Sequence, residues 1–510
     1  MKRTRAFAAL AAALALTIGL SGCVSLFLPK PAPSTSVPVA EKVDPALEPF
    51  YSQVLTWSNC GSGMQCGSAK APLDWKDPGA GGIDLALVRH VTTDGSRIGS
   101  LLVNPGGPGG SGYDFVKDSL DYAVDARLKK SFDIVGFDPR GVGRSTAVKC
   151  YDPAEMDQYL FGLTSVARGT DAWISEQEKV ATDFGEACAK NTGALLGEVD
   201  TVSAAHDLDL LRAVLGDTQL HYLGYSYGTY LGATYADLYP KKVGRLVLDG
   251  ALDPAASYFD VSITQAQGFE SALRAYLKDC LAGADCPFDG SVDDAMGTIG
   301  ALLKSVDASP ITATDGRQVG ADTLVTAIIY PLYQASAWPA LSDMFVSLMH
   351  GDADKALSFA DGYYGRAADG TYSDNSTEAF NAINCLDYTF NDDPAAMRAQ
   401  AAEISAAAPV IGPYMGFGDI DCANWPYTST IERGEIHAPG AAPILVVGTT
   451  NDPATPYSWA VSLAKQLDSG HLVTYRGEGH TAYNKSNSCV NDAVDNYLIK
   501  GTVPASDPKC

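Results

Sequence analysis

Leu220-His-Tyr-Leu-Gly224-Tyr225-Ser226-Tyr227-Gly228-Thr-Tyr-Leu-Gly232 is the stretch from which the rest of the chain can be read. It is a G-x-S-x-G pattern with a short strand-like run before it and a helix-like run behind it. A bare G-x-S-x-G is a weak signal, and this setting makes it specific. A strand that turns straight into a helix needs small residues on both sides of the serine, which then stands exposed at the helix N-terminus. Negative charge developing there meets free backbone N–H groups and the positive end of the helix dipole.

Outward from this turn, apolar runs end repeatedly in glycine-rich turns. Strands are expected at Ile83–Val91, Ile98–Val103, Phe132–Phe137, Leu220–Leu223, Arg245–Leu248, Pro443–Val447 and Leu472–Tyr475. Helical stretches such as Val202–Leu215 and Thr229–Leu238 separate several of them, which argues for an α/β domain with a mostly parallel sheet. Between about 255 and 436 the rhythm changes. Phe269, Leu273, Tyr276 and Leu277 recur at helical spacing, as do Leu341, Phe345, Leu348 and Met349. Further helices are expected at Asp294–Val306, Ala321–Tyr333 and Pro394–Ala407. The segment reads as a mainly helical insertion between two strands of the sheet.

A nucleophilic serine needs a base, a group that orients the base, and donors for the oxyanion. Where the serine sits on this kind of turn, the order along the chain is serine, acid, histidine. Of the seven histidines, His350, His437, His471 and His480 follow Ser226. His480 lies in Gly477-Glu-Gly-His480-Thr, just after the last expected strand, and is taken as the base. Asp452, in Gly448-Thr-Thr-Asn-Asp452-Pro-Ala-Thr-Pro, follows the strand before and is the preferred acid. Asp249, at the end of Arg245–Leu248, is its rival. The oxyanion donors are expected to be the Tyr227 N–H and one from Asn104-Pro-Gly-Gly-Pro-Gly-Gly-Ser-Gly112, where Gly107 is chosen and Gly106 is the alternative. No G-K-[ST] follows that glycine run, so it is not read as a phosphate loop. Asp138 and Arg140, in Phe137-Asp-Pro-Arg140-Gly-Val-Gly-Arg-Ser145, are expected to brace loops. No cysteine–histidine cluster suggests a metal, and no cofactor is implied.

Across 510 residues the chain is 46% hydrophobic and 19% charged, enough to bury a large core and too apolar for disorder. Sixty acids against 36 bases leave a formal charge of −24, which repels phosphate backbones and argues against nucleic acid as a partner. The basic start Met1-Lys-Arg-Thr-Arg5 leads into an uncharged apolar run, Ala6–Leu20. About 15 helical residues span about 22 Å, short of the roughly 30 Å hydrocarbon core, so residues 1–22 read as a signal peptide. Leu20-Ser21-Gly22-Cys23 looks like a bacterial lipoprotein signal, with Cys23 as the acylated first residue and membrane anchor. Loss of Lys2, Arg3 and Arg5 would take the charge from −24 to −27. Residues 23–45, with Pro29, Pro31, Pro33 and Pro38, read as an extended linker. The remaining divisions are 46–254 and 437–510 as two parts of the α/β core, and 255–436 as a helical cap. Beyond Cys23 there are ten cysteines, an even number that suits an oxidising compartment. Sequence alone does not fix their connectivity; pairing neighbours, 60–66, 150–188, 280–286, 385–422 and 489–510, is the expectation because it closes short loops.

These residues resemble the tripeptidyl and prolyl aminopeptidase family of α/β-hydrolases. Within it they look most like secreted actinobacterial tripeptidyl aminopeptidases and lipid-anchored mycobacterial serine proteases. The resemblance runs over most of the chain after Cys23: Trp57, Cys60, Cys66 and Pro72-Leu-Asp-Trp75, then the glycine run at 104–112, the Phe137–Ser145 turn, Gly224–Gly232, Asn384-Cys-Leu-Asp387, Asp452–Pro456 and Gly477–His480. It covers the helical insertion only in scattered places. It implies an α/β-hydrolase fold with a mainly helical cap, a triad of Ser226, Asp452 and His480, and peptide substrates. It also implies cap carboxylates that bind a substrate amino group, with Asp387 as the candidate, and a biasing role for Thr455 in the acid loop. Pro105 stands where prolyl aminopeptidases carry the histidine of H-G-G-P-G, which argues against strict release of N-terminal proline. The expected function is an extracytoplasmic serine peptidase releasing short peptides through an acyl-enzyme. The rivals are a carboxylesterase or lipase with the same triad, and a catalytically dead solute-binding lipoprotein.

Overall fold

A computed structural model describes residues 34–92 and 95–510; the expected signal peptide, 1–22, and the expected acylation site Cys23 lie outside them. A ten-stranded sheet organises these residues. Its strands are β1 (Ser34–Thr35), β2 (Thr56–Gly61), β3 (Met64–Pro72), β4 (Gly82–His90), β5 (Gly99–Asn104), β6 (Phe132–Phe137), β7 (Leu220–Tyr225) and β8 (Val243–Asp249). After a small separate pair, β9 (Ile311–Thr312) and β10 (Gln318–Val319), the sheet resumes with β11 (Ile444–Asn451) and β12 (Gly470–Glu478). The order is β1-β2-β3-β4-β6-β5-β7-β8-β11-β12. The strands from β6 to β12 in that order are parallel, and those from β1 to β4 are antiparallel.

Each strand expected from the sequence is present, with ends moved by a few residues. The reason is burial. Every residue of β5 and β6 is buried, as a parallel strand covered on both faces requires, and such strands spell near-continuous apolar runs. The antiparallel edge, β1 to β3, was not foreseen: Thr56-Trp-Ser-Asn-Cys-Gly61 is mostly exposed and has no apolar run to mark it.

Register places the site. Asn104 pairs with Gly224, Tyr225 with Asp249, and Asp249 with Val447. The turns after β5, β7, β8 and β11 therefore leave from one edge, the carboxyl ends of the parallel strands, where ligands bind in open α/β sheets.

The helical insertion enters after β8 and returns at β11, its neighbour in the sheet. It includes helices Tyr258–Cys280, Val292–Ala308, Ala321–Leu332, Trp338–Met349, Asp354–Tyr364, Ser376–Asp387 and Pro394–Ala407. Leu273, Tyr276, Leu277, Leu324, Ile328 and Phe345 form a core of its own, apart from the layers that sandwich the sheet. A second piece joins it from between β6 and β7, helices Pro153–Phe161 and Asp171–Thr192. Arg366 grips Asp157 at 2.6 and 2.7 Å, Arg168 grips Asp322, and Trp173 packs edge-on against Phe417. All five neighbour-pairing disulfides are present, 60–66, 150–188, 280–286, 385–422 and 489–510. Among the described residues, no helix is long and apolar enough to cross a membrane.

The extended linker expected over residues 23–45 is corrected from Ser34 onward, because this part is fastened to the body. Ser34–Thr35 pairs with Thr56–Trp57, and the Val39 N–H donates to the Ala213 carbonyl at 2.9 Å. Glu41 then bridges the fully buried Arg212 at 2.7 Å and Lys242 at 2.8 Å. The prolines gave the reading of a free spacer, whereas one carboxylate meeting a buried guanidinium decides the outcome.

Candidate active site

Ser226 sits at φ 55° and ψ −127°, between the end of β7 and the helix Tyr227–Leu238. A non-glycine residue there costs on the order of 1–3 kcal/mol and persists only where its surroundings over-determine it. Here the Ser226 N–H donates to the Asp249 carbonyl at 2.9 Å, and the Ser226 carbonyl accepts from the Thr229 N–H at 2.8 Å and its hydroxyl at 2.6 Å. Two glycines make room. A Cβ on Gly224 would lie 2.3 Å from the Gly228 carbonyl oxygen, and one on Gly106 would lie 2.5 Å from that of Tyr225.

The glycine loop after β5 lies against this turn. The Gly106 N–H is committed to Asn104 Oδ1 at 2.9 Å, while the Gly107 N–H has no acceptor among the described residues. Gly107 shares a cavity wall with Ser226 and Tyr227, and Tyr227, first in its helix, has no intrahelical acceptor for its own N–H. Asp138 braces the loop from behind, accepting from Ser111 Oγ at 2.6 Å, the Tyr113 N–H at 3.1 Å and the Arg144 N–H at 2.7 Å. Burial pushes its carboxyl above the usual range, against those bonds. Arg140, fully buried, forks onto Asp207 at 2.7 Å through both Nε and Nη2 and also reaches the carbonyls of Pro72, Leu73 and Glu198. Both residues hold loops.

His480 and Asp452 meet. The Nδ1 of His480 lies 2.9 and 3.1 Å from the two oxygens of Asp452. Asp452, 2% exposed, also accepts from the Ala454, Thr455 and Thr481 N–H groups at 3.0, 2.8 and 3.1 Å. Thr455 Oγ1 approaches His480 Nδ1 at 3.2 Å. The insertion touches this loop too: the His480 N–H donates to the Tyr333 carbonyl at 2.8 Å, and the two rings meet edge to face.

Asp249 has a different position. Its oxygens accept from the Ala482 N–H at 3.0 Å and the Tyr483 N–H at 2.8 Å, so it pins the backbone just past His480. Burial raises its pKa, opposed by the nearby Lys485 charge.

Asp387 ends the helix Ser376–Asp387 and lines the Ser226 cavity, whose walls also hold Tyr230, Tyr258, Phe380 and Tyr388. Its carboxyl accepts from the Thr201 N–H at 2.9 Å and from the Thr201 hydroxyl, which in turn meets the Tyr227 hydroxyl. Burial pushes Asp387 up to about 7, against the bonds from Thr201. Sequence reasoning did not find Thr201: it lies 186 positions before Asp387, and no motif joins them. Asn375 was also missed. It clamps the insertion to the core through the Gly143 N–H and the Gly141 and Val148 carbonyls. Larger clefts elsewhere contain none of Ser226, Asp452 and His480. Among the described residues, no group of three histidine, cysteine or acidic side chains is placed to hold a metal.

Six neighbouring parallel strands, a serine on a strained strand-to-helix turn, and the chain order serine, aspartate, histidine define an α/β-hydrolase-fold serine hydrolase. A family model described as TAP-like protein matches residues 408–510. Serine protease Hip1 of Mycobacterium tuberculosis is 36% identical over 488 residues, which is 91% of this chain and 92% of that protein. Carboxylesterase B of the same species is 37% identical, covering 96% of each. Tripeptidyl aminopeptidase of Streptomyces lividans is 30% identical, over 89% of this chain and 86% of its own length. The chain belongs to the TAP-like family of α/β-hydrolases.

Proposed function

We propose that this chain is an extracytoplasmic serine peptidase that releases short peptides, tripeptides in the first instance, from peptide N-termini. His480 takes the proton of Ser226 Oγ as that oxygen attacks the scissile carbonyl. Asp452 fixes the imidazole tautomer and stabilises the imidazolium. The N–H groups of Gly107 and Tyr227 bind the oxyanion. Collapse of the tetrahedral intermediate breaks the C–N bond as His480 protonates the leaving amine, and the acyl-enzyme is then hydrolysed by water that His480 activates. Residues 255–436 act as the cap, joined by the helices between β6 and β7. Cys23 is the proposed lipid anchor.

One observation carries the peptidase reading: the cavity beside Ser226 is walled by aromatic rings and contains the buried carboxyl of Asp387. Each carboxylate oxygen has two acceptor positions and takes one bond from Thr201, so one position on each oxygen remains for a substrate ammonium. The serine protease and the tripeptidyl aminopeptidase among the relatives agree with this reading. The carboxylesterase relative at 37% identity supports a second reading, an esterase using the same residues.

The test is hydrolysis of one tripeptidyl anilide with its terminus free and with it acetylated, with Ser226→Ala as the blank. Strong preference for the free amine is expected. Equal rates would overturn the aminopeptidase assignment, and no turnover of either substrate would favour the esterase.

A further inference from the structure

Two hollows flank the serine turn, and His480 lines one of them. The cavity that holds Ser226, Gly107 and Asp387 does not include His480 in its wall. A second cleft, of about 180 Å³, has His480 in its wall together with Pro105, Tyr122, Tyr225, Tyr333 and Lys485. Proton transfer decides which half of a peptide each can take. The imidazolium protonates the leaving amine, so the leaving residue must lie against His480, and the acyl half against Ser226 and the oxyanion donors.

Lys485 gives the leaving-group side a charge. Its Nζ donates to Thr481 Oγ1 at 2.6 Å and lies 4.5 Å from the ring centres of both Tyr122 and Tyr225. It forms no ion pair among the described residues. Asp249 and Asp452 attract it through space, but their oxygens are engaged by the backbone of the His480 loop and by His480 itself. An ammonium has three protons, and one hydroxyl plus two ring faces satisfy it incompletely. Gln334 of the insertion lines the same cleft and donates to the Tyr122 hydroxyl at 2.9 Å. Burial pushes its pKa down to about 8, which leaves it cationic at neutral pH.

We infer that this cleft is the leaving-group subsite, and that Lys485 binds a carboxylate on the residue that follows the scissile bond. The favoured substrates are then short peptides whose leaving residue carries a free carboxylate, either its own C-terminus or an acidic side chain. The inference rests on the peptidase reading.

The experiment measures kcat/KM by product chromatography at pH 6.5 for three peptides. They are a tetraalanine acid, the same tetrapeptide as its C-terminal amide, and an amide with aspartate in fourth place. Wild type is expected to favour the acid over the plain amide by about tenfold, the size of one charge-assisted hydrogen bond. Lys485→Met is expected to bring that ratio to about one, and Lys485→Arg to keep most of it. Acceleration of the aspartyl amide as well would mean that the site reads either carboxylate; acceleration of the acid alone would mean that it reads the chain end. A ratio near one in wild type, or an unchanged ratio in Lys485→Met, overturns the subsite. A wild-type ratio near one overturns the subsite even if Lys485→Met does not fold, and Lys485→Arg then tests the residue. Hydrolysis of none of the peptides by enzyme whose Ser226 reacts with a fluorophosphonate would instead refute the peptidase reading, and the subsite with it.

Discussion

Replacing Asp452 by asparagine and, separately, Asp249 by asparagine distinguishes the two acids of the site. Asp452 gives one oxygen to the Ala454 and Thr455 N–H groups and the other to the Thr481 N–H, with both near His480 Nδ1. An asparagine must keep its carbonyl oxygen toward Ala454 and Thr455, where two donors converge. Its NH2 then takes the position 3.1 Å from Nδ1 of His480 and competes with the retained oxygen at 2.9 Å, shifting the imidazole toward the tautomer protonated on Nε2, the nitrogen proposed to accept from Ser226. Loss of the correct tautomer in such a triad costs about 10⁴ in kcat, roughly 5 kcal/mol of transition-state stabilisation. The Thr481 N–H, left facing a donor, adds a stability cost of about 1–3 kcal/mol. Asp249→Asn meets only the Ala482 and Tyr483 N–H groups. It should lower the melting temperature comparably but reduce kcat far less, by about tenfold through displacement of the loop. The assay is anilide hydrolysis on both variants beside a thermal melt. If Asp249→Asn lost as much kcat as Asp452→Asn while remaining folded, the acid would be misassigned.

Two further outcomes follow from buried charges. The folded protein keeps the Asp387 proton up to about 7, whereas an unfolded chain releases it near 3.9, so stability falls as pH rises from about 4 to about 7. Asp387→Asn should flatten that part of the melting-temperature profile, and an unchanged slope would refute the assignment. Glu41→Ala removes one partner of the buried Arg212, which retains Asp209 at 2.9 Å. A loss of about 1–3 kcal/mol is expected, together with faster proteolysis in the segment before residue 41. Cleavage at the wild-type rate would mean that the segment is not held as described.

The central strands and the serine turn were legible because burial on both faces and tight backbone turns leave strong marks: apolar runs for β5 and β6, and glycines at 224 and 228. Phe269, Leu273, Tyr276 and Leu277 were legible as one helical face for the same reason, and all are buried. What escaped was held by pairing partners rather than by its own apolar pattern, or by contacts far apart in the chain. Strand β2 is defined by its partners rather than by its own composition. Thr201 matters because Asp387 and Tyr227 reach it, and Lys485, in Asn484-Lys485-Ser-Asn, reads as an ordinary solvated turn until two tyrosines enclose it. The Asp452–Asp249 choice was also open in the sequence, since both end strands at the same sheet edge, and only the hydrogen bonds separate them.

The docking of residues 34–41 onto the body shortens any leash to the membrane. Were Cys23 acylated, ten residues, 24–33, would separate it from β1, and even fully stretched they reach only about 35 Å. A globule of this size has a radius of gyration of about 23 Å, so the tether is shorter than the body is wide. Such an enzyme could not sweep the surrounding fluid. It would keep the β1 edge of its sheet toward the lipid and work on peptides that come within a molecular width of the bilayer, where local supply rather than bulk concentration sets its rate.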